Sequence, residues 1–162
     1  MSLFGNLTVT SVALAGVLAC GDDDNQPADP ATSFTATLSG TNEVPPVTTE
    51  ATGTATFTVN EGQIEYTVNV AGIENVLVAH IHTGREGEDG PVRLNLCGTP
   101  DGRPPCTSGD GVLATGTNGE TVGDPPITFD ELVEAMRSDS AYANVHTQQN
   151  QPGEIRGQIV PD

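Results

Sequence analysis

His80 and His82 stand two residues apart in Ala79-His80-Ile81-His82-Thr83-Gly84, and the remaining histidine, His146, follows in Asn144-Val145-His146-Thr147. On an extended strand, residues i and i+2 project from the same face, so the first pair offers two imidazoles side by side. Three imidazoles suit copper or zinc and leave a coordination position open for water or a small substrate. The competing chemistry is structural. Strand-end histidines can hydrogen-bond loop carbonyls or carboxylates, with Glu43, Glu154 and Arg156 as partners in such a network. No Gly-x-Ser-x-Gly elbow and no phosphate-binding loop accompanies the histidines. The acidic loop residues Glu86, Glu88 and Asp89 lack the spacing of a calcium loop and read as a solvated turn.

The elements that must position these residues are strands. Leu77, Ala79 and Ile81 form one phase of Val76 to Thr83, while Val78, His80 and His82 form the other. In Tyr142 to Thr147, Ala143 and Val145 oppose Tyr142, Asn144 and His146. Every histidine thus falls opposite the small apolar set of its strand, which predicts one shared outer face. Alternation also predicts strands from Phe34 to Ser39, Val92 to Leu96 and Glu154 to Val160. Gly53 to Val59 and Ile64 to Val70, joined at Asn60-Glu61-Gly62, read as a β-hairpin. The prolines of Thr41 to Val47 keep that stretch out of a central strand. The Gly-rich stretch through Gly123 carries no strand assignment. One helix is expected over about 129–137, with a capping box at Thr128 and Glu131 and apolar Phe129, Leu132, Val133 and Met136 at helical spacing.

Cys97 and Cys106 bracket a Pro/Gly loop. In an exported protein that spacing reads as a disulfide, the rival being a pair of thiolate metal ligands. The composition supports one all-β domain: 162 residues, 19 Gly, 12 Pro, no Trp and 4% aromatics. Asp and Glu number 22 against five Arg and no Lys, a formal charge of −17. Such a surface repels phosphate backbones and anionic headgroups, so no nucleic-acid partner is expected, and the folded domain is expected to be a monomer.

Residues 3–19 are apolar and small and end in Val17-Leu18-Ala19-Cys20-Gly21, which resembles the lipobox of bacterial lipoproteins. That resemblance implies a signal peptide over 1–19, lipid on Cys20 as the membrane attachment, and a periplasmic or cell-surface location. Met1 to Asn6 departs from the usual signal peptide in having no Lys or Arg. Residues 20–33 are acidic, proline-containing and poor in apolar residues, so they read as a flexible tether ahead of a domain over 34–162.

Asn42-Glu43-Val44-Pro45-Pro46, the two histidine motifs and Pro152-Gly153-Glu154-Ile155-Arg156-Gly157-Gln158-Ile159 together resemble the CHRD domain, named after chordin and widespread in bacterial exported proteins. The resemblance spans Phe34 to Val160. It implies an all-β, immunoglobulin-like or Greek-key sandwich with one short helix, and it implies little about activity. A weaker resemblance runs to copper-zinc superoxide dismutase, also a Greek-key sandwich, and implies His80, His82 and His146 as copper ligands. The chain lacks that family's bridging histidine and its zinc-ligand cluster. The resulting expectation is a metal module at the cell envelope, with copper ahead of zinc and a possible redox role. Its alternative is a non-catalytic surface module for a protein or glycan, with structural histidines and no metal.

Overall fold

The computed structural model describes residues 31–98, 103–107 and 109–162. The expected leader, Cys20 and the tether as far as residue 30 lie outside them. The described strands are β1 (Ser33–Ser39), β2 (Thr52–Asn60), β3 (Gln63–Ala71), β4 (Val76–Thr83), β5 (Val92–Cys97), β6 (Gly111–Asn118), β7 (Ala141–Thr147), β8 (Ile155–Gln158) and β9 (Val160–Pro161). They form one antiparallel sheet in the order β5-β4-β7-β8-β1-β2-β3-β6, with β9 on β1. A single bridge from Leu94 to Thr121 brings its two ends together, so the sheet is a nearly closed, barrel-like sandwich. This is the all-β architecture with one short helix that the alternation predicts.

The core follows from that alternation. In the β2–β3 hairpin, Ala55, Phe57, Ile64, Tyr66, Val68 and Val70 are buried, and Asn60 pairs with Gln63 across the Glu61-Gly62 turn. Phe34, Ala36 and Leu38 of β1, Ala79 and Ile81 of β4, and Ala143 and Val145 of β7 join the same cluster. The helix α1 (Phe129–Arg137) buries Leu132, Val133 and Met136. The Thr128 hydroxyl accepts from the Glu131 amide, and the Glu131 carboxylate accepts from the Thr128 amide. Cys97 and Cys106 form a disulfide, which by loop-closure entropy contributes about 2.5–3 kcal/mol.

Three sequence expectations are corrected. The Gly-rich stretch contains β6, paired with β3 from Ile64↔Asn118 to Val70↔Gly111. Its inward positions are mostly Gly and Ala, with Leu113 the one large buried residue, so no apolar rhythm marks it. The last expected strand divides into β8 and β9, the first against β7 and the second against β1. Leu77 is 39% exposed rather than in the core, because the β4–β7 register shifts between Val76 and Val78 and carries it out of phase.

Candidate metal centre

β4 and β7 are antiparallel neighbours in the register Val78↔His146, His80↔Asn144 and His82↔Tyr142. Side chains at these positions share one face, so the pairing alone brings the three histidines together. Ring centroids are 5.6 Å apart for His80–His82, 5.0 Å for His80–His146 and 5.7 Å for His82–His146. One nitrogen from each ring lies within 4.8 Å of the others. His80 Nδ1 and His146 Nε2 are 3.2 Å apart. Two bonds of about 2.0–2.1 Å at a tetrahedral metal place their nitrogens about 3.4 Å apart, so this edge of the triad already has the spacing of a coordinated pair.

The face is outward but covered. The loop 84–91 and the turn 148–154 fold back over it, leaving His82 and His146 buried and His80 half-buried. Both covering segments also orient the rings. Gly90 O lies 2.9 Å from His82 Nδ1, and Gln151 O lies 2.9 Å from His146 Nδ1. A carbonyl only accepts, so each Nδ1 carries the proton and each Nε2 keeps its lone pair. Burial pushes His82 down to about 4 despite the Gly90 carbonyl, and the neighbouring His146 and Arg156 add to the depression. Burial lowers His146 as well, against the pull of the Gln151 carbonyl. Both rings are therefore neutral near pH 7, as metal ligands must be.

His82 Nε2 is buried with no hydrogen-bond partner among the described residues, and Glu43 Oε1 and Asn144 Oδ1 share that condition. An unpaired buried nitrogen costs about 1–3 kcal/mol. It sits here among two other imidazoles, where a cation would satisfy it.

A clamp supports the triad. Tyr142 stacks on His82 with centroids 4.8 Å apart and planes 13° from parallel. The Arg156 guanidinium lies over the Tyr142 ring, 3.4 Å from its centroid. Arg156 is 2% exposed and donates to Arg85 O at 2.9 Å and Glu88 O at 2.7 Å, while its other arm meets Asp89 at 3.4 Å. It thus fastens the loop that supplies the Gly90 carbonyl. The Gly90 amide donates to the Tyr142 hydroxyl, joining loop and ring again.

Of the three residues named as partners for the histidines, Arg156 holds the covering loop. Glu154 accepts from the Thr49 and Thr147 hydroxyls; burial works to raise its carboxyl, but those bonds outweigh it and hold it below the usual value. Glu43 lies against Asn144 and Gly153. Burial raises Glu43 to about 7, with Asp89 adding to the rise and Arg156 and a hydrogen bond from the Asn144 side chain opposing it. The sequence reading assigned no role to Tyr142 and Asn144, although both share the phase of His146. The Gly90 and Gln151 carbonyls leave no side-chain signal to read.

No curated protein and no solved structure matches the chain. The family profile described as the CHRD domain matches residues 34–159, which takes in every strand of the site. The chain therefore belongs to the CHRD domain family.

Proposed function

We propose that this CHRD domain is a metal-binding module whose ligands are His80, His82 and His146, with copper as the resident ion and zinc as its closest competitor. The unpaired, buried His82 Nε2 between two further imidazoles carries the reading. Neutral imidazoles suit both ions, and copper binds such nitrogen sites more tightly. Bound copper would supply one-electron chemistry with a small oxidant such as superoxide at its open position. The residues of the chain keep the rings neutral, fix which nitrogen each presents and exclude bulk water from His82 and His146.

The module is read as exported and held at the cell envelope by lipid on Cys20, through the acidic tether. The Cys97–Cys106 disulfide supports an oxidising compartment. Among the described residues no helix is long and apolar enough to cross a membrane.

A second reading has an observation of its own: His80 bonds His146, and His82 and His146 bond carbonyls, so the rings also serve as scaffolding. On that reading the domain is a non-catalytic module for a protein or glycan. Thermal denaturation with and without Cu²⁺ or Zn²⁺ separates the two. A ligand that binds only the folded state at 100 times its Kd stabilises it by about 2.7 kcal/mol. A rise in Tm that is lost in His82→Ala supports the metal module; an unchanged Tm supports scaffolding.

A further inference from the structure

Beside Arg156 the surface opens into a cavity of about 260 Å³ lined by Thr37, Asn42, Glu86, Arg156, Gln158 and Val160. Liquid water takes about 30 Å³ per molecule, so the space suits an organic group rather than a single ion.

Both amides in the wall have their nitrogens occupied. Asn42 Nδ2 donates to the carbonyls of Arg156 at 3.0 Å and Thr37 at 3.4 Å. Gln158 Nε2 donates to those of Gly84 at 2.9 Å and Asp139 at 2.8 Å. A flipped amide would set oxygen against oxygen at each place, so these contacts fix the orientation. Each NH2 group has used its two hydrogens, and Oδ1 and Oε1 are all that Asn42 and Gln158 can offer a ligand. The exposed Glu86 carboxylate can only accept as well. The loop fixes its place at the rim, because Arg156 Nη2 donates to the carbonyls of Arg85 and Glu88 on either side of it.

Arg156 does not make the cavity an anion site. Those two carbonyls take its Nη2 hydrogens, and Asp89 meets its charge 3.4 Å from Nη1. Glu86 then decides the sign of the wall, on a chain whose formal charge is −17. A wall of acceptors calls for a ligand made of donors. A primary ammonium has three N–H donors and no acceptor, and a guanidinium likewise only donates. A sugar hydroxyl also needs donors for its lone pairs, and a carboxylate needs donors alone. Val160, 42% exposed, gives the methylene stem of a long-chain cation an apolar contact.

We propose that this cavity binds an organic cation, its ammonium or guanidinium group held by Glu86, Asn42 Oδ1, Gln158 Oε1 and the Thr37 hydroxyl. The cation is a basic side chain of a partner protein or a polyamine, two sources of one chemistry. The site uses none of the three histidines and stands whether or not they hold metal.

Proton–nitrogen correlation NMR of the metal-free protein reads the site directly, since the side-chain NH2 signals of Asn42 and Gln158 report on their own carbonyl oxygens. Spermidine, a terminally blocked lysine peptide, glucose and acetate are titrated in turn. Saturable shifts at those two side chains and at the Glu86 amide, with a cation but with neither glucose nor acetate, are the expected result, and the tighter cation names the source. Glu86→Gln should weaken binding about two- to fivefold, the scale of one exposed ion pair. Glu65→Gln, which removes the same charge from the exposed face of β3, should leave the affinity unchanged. The wild-type shifts carry the test even if Glu86→Gln is unstable. No shift with either cation, shifts with glucose or acetate in their place, or equal weakening in Glu65→Gln, the mark of general attraction to an acidic surface, would overturn the proposal.

Discussion

Across β1 and β2 the side chains that point away from the core include Thr37, Thr52, Thr54 and Thr56, all open to solvent, whereas across β4, β7 and β8 the corresponding positions carry His82, Tyr142, Asn144, His146 and Arg156, all buried. Both halves obey the same two-residue alternation and belong to one sheet. Solvated threonines satisfy their hydroxyls with water and suit a strand surface, so the first face needs no covering. The second face removes imidazoles, an amide and a guanidinium from water, which costs free energy unless each polar atom finds a partner. Arg156 finds several, whereas His82 Nε2, Glu43 Oε1 and Asn144 Oδ1 do not. A fold that needs only a barrel has no use for such a face, which is why the proposed metal site is placed there.

The largest expected departure between the halves is Arg156→Met. It removes the two carbonyl bonds and the Asp89 contact that fasten the 84–91 loop, and a loss of about 3 kcal/mol is expected from charge-assisted hydrogen bonds of this kind. Urea denaturation measures the loss, and amide exchange at Gly84 to Gly90 should accelerate with it. Next comes Gly153→Ala, whose Cβ meets Glu43 and Asn144 at a φ that L residues rarely adopt. Roughly 2 kcal/mol of destabilisation is expected, read by Tm.

The pH dependence sharpens the contrast at smaller amplitude. His82 has a depressed value of about 4 against the ordinary 6.5, so the unfolded chain binds more protons in that window and stability rises with pH from 4 to 6.5. Glu43 is raised to about 7 from 4.5, so the folded chain holds the extra proton and stability falls as pH rises from 4.5 to 7. The two slopes oppose each other in the wild type. Glu43→Gln should expose the rise and His82→Asn the fall, each visible as a Tm trend across pH 4 to 7.5. The smallest effect belongs to the other half: Thr56→Ala on the open face should change stability by no more than about 0.5 kcal/mol, at any pH.

Much of this contrast is legible in the sequence, but only up to the cover. The hairpin, the helix with its Thr128 cap and the shared phase of the three histidines follow from spacing of two and of 3.6. β6 does not, because Ala114 and Gly116 give no apolar rhythm beside Leu113. Nor does the burial of His82 and His146, which depends on the loop and turn folding back over the sheet through Arg156 and through backbone carbonyls. Arg156 reaches that loop from 71 and 68 residues away, and the carbonyls on His82 and His146 are main-chain atoms that no residue type announces. Leu77 misleads for a similar reason, since a register shift in pairing with β7 moves it off the face its position implies.

The central claim is that the three histidines hold one metal ion, and metal content by mass spectrometry tests it most directly. The purified protein, loaded with copper or zinc and freed of excess, should carry about one equivalent per chain. His80→Ala, His82→Ala and His146→Ala should each lose it, with at least about 100-fold weaker binding than the wild type, beyond the 10- to 100-fold typical of outer partners. No retained metal at micromolar concentration, or metal retained when all three histidines are replaced, would contradict the account.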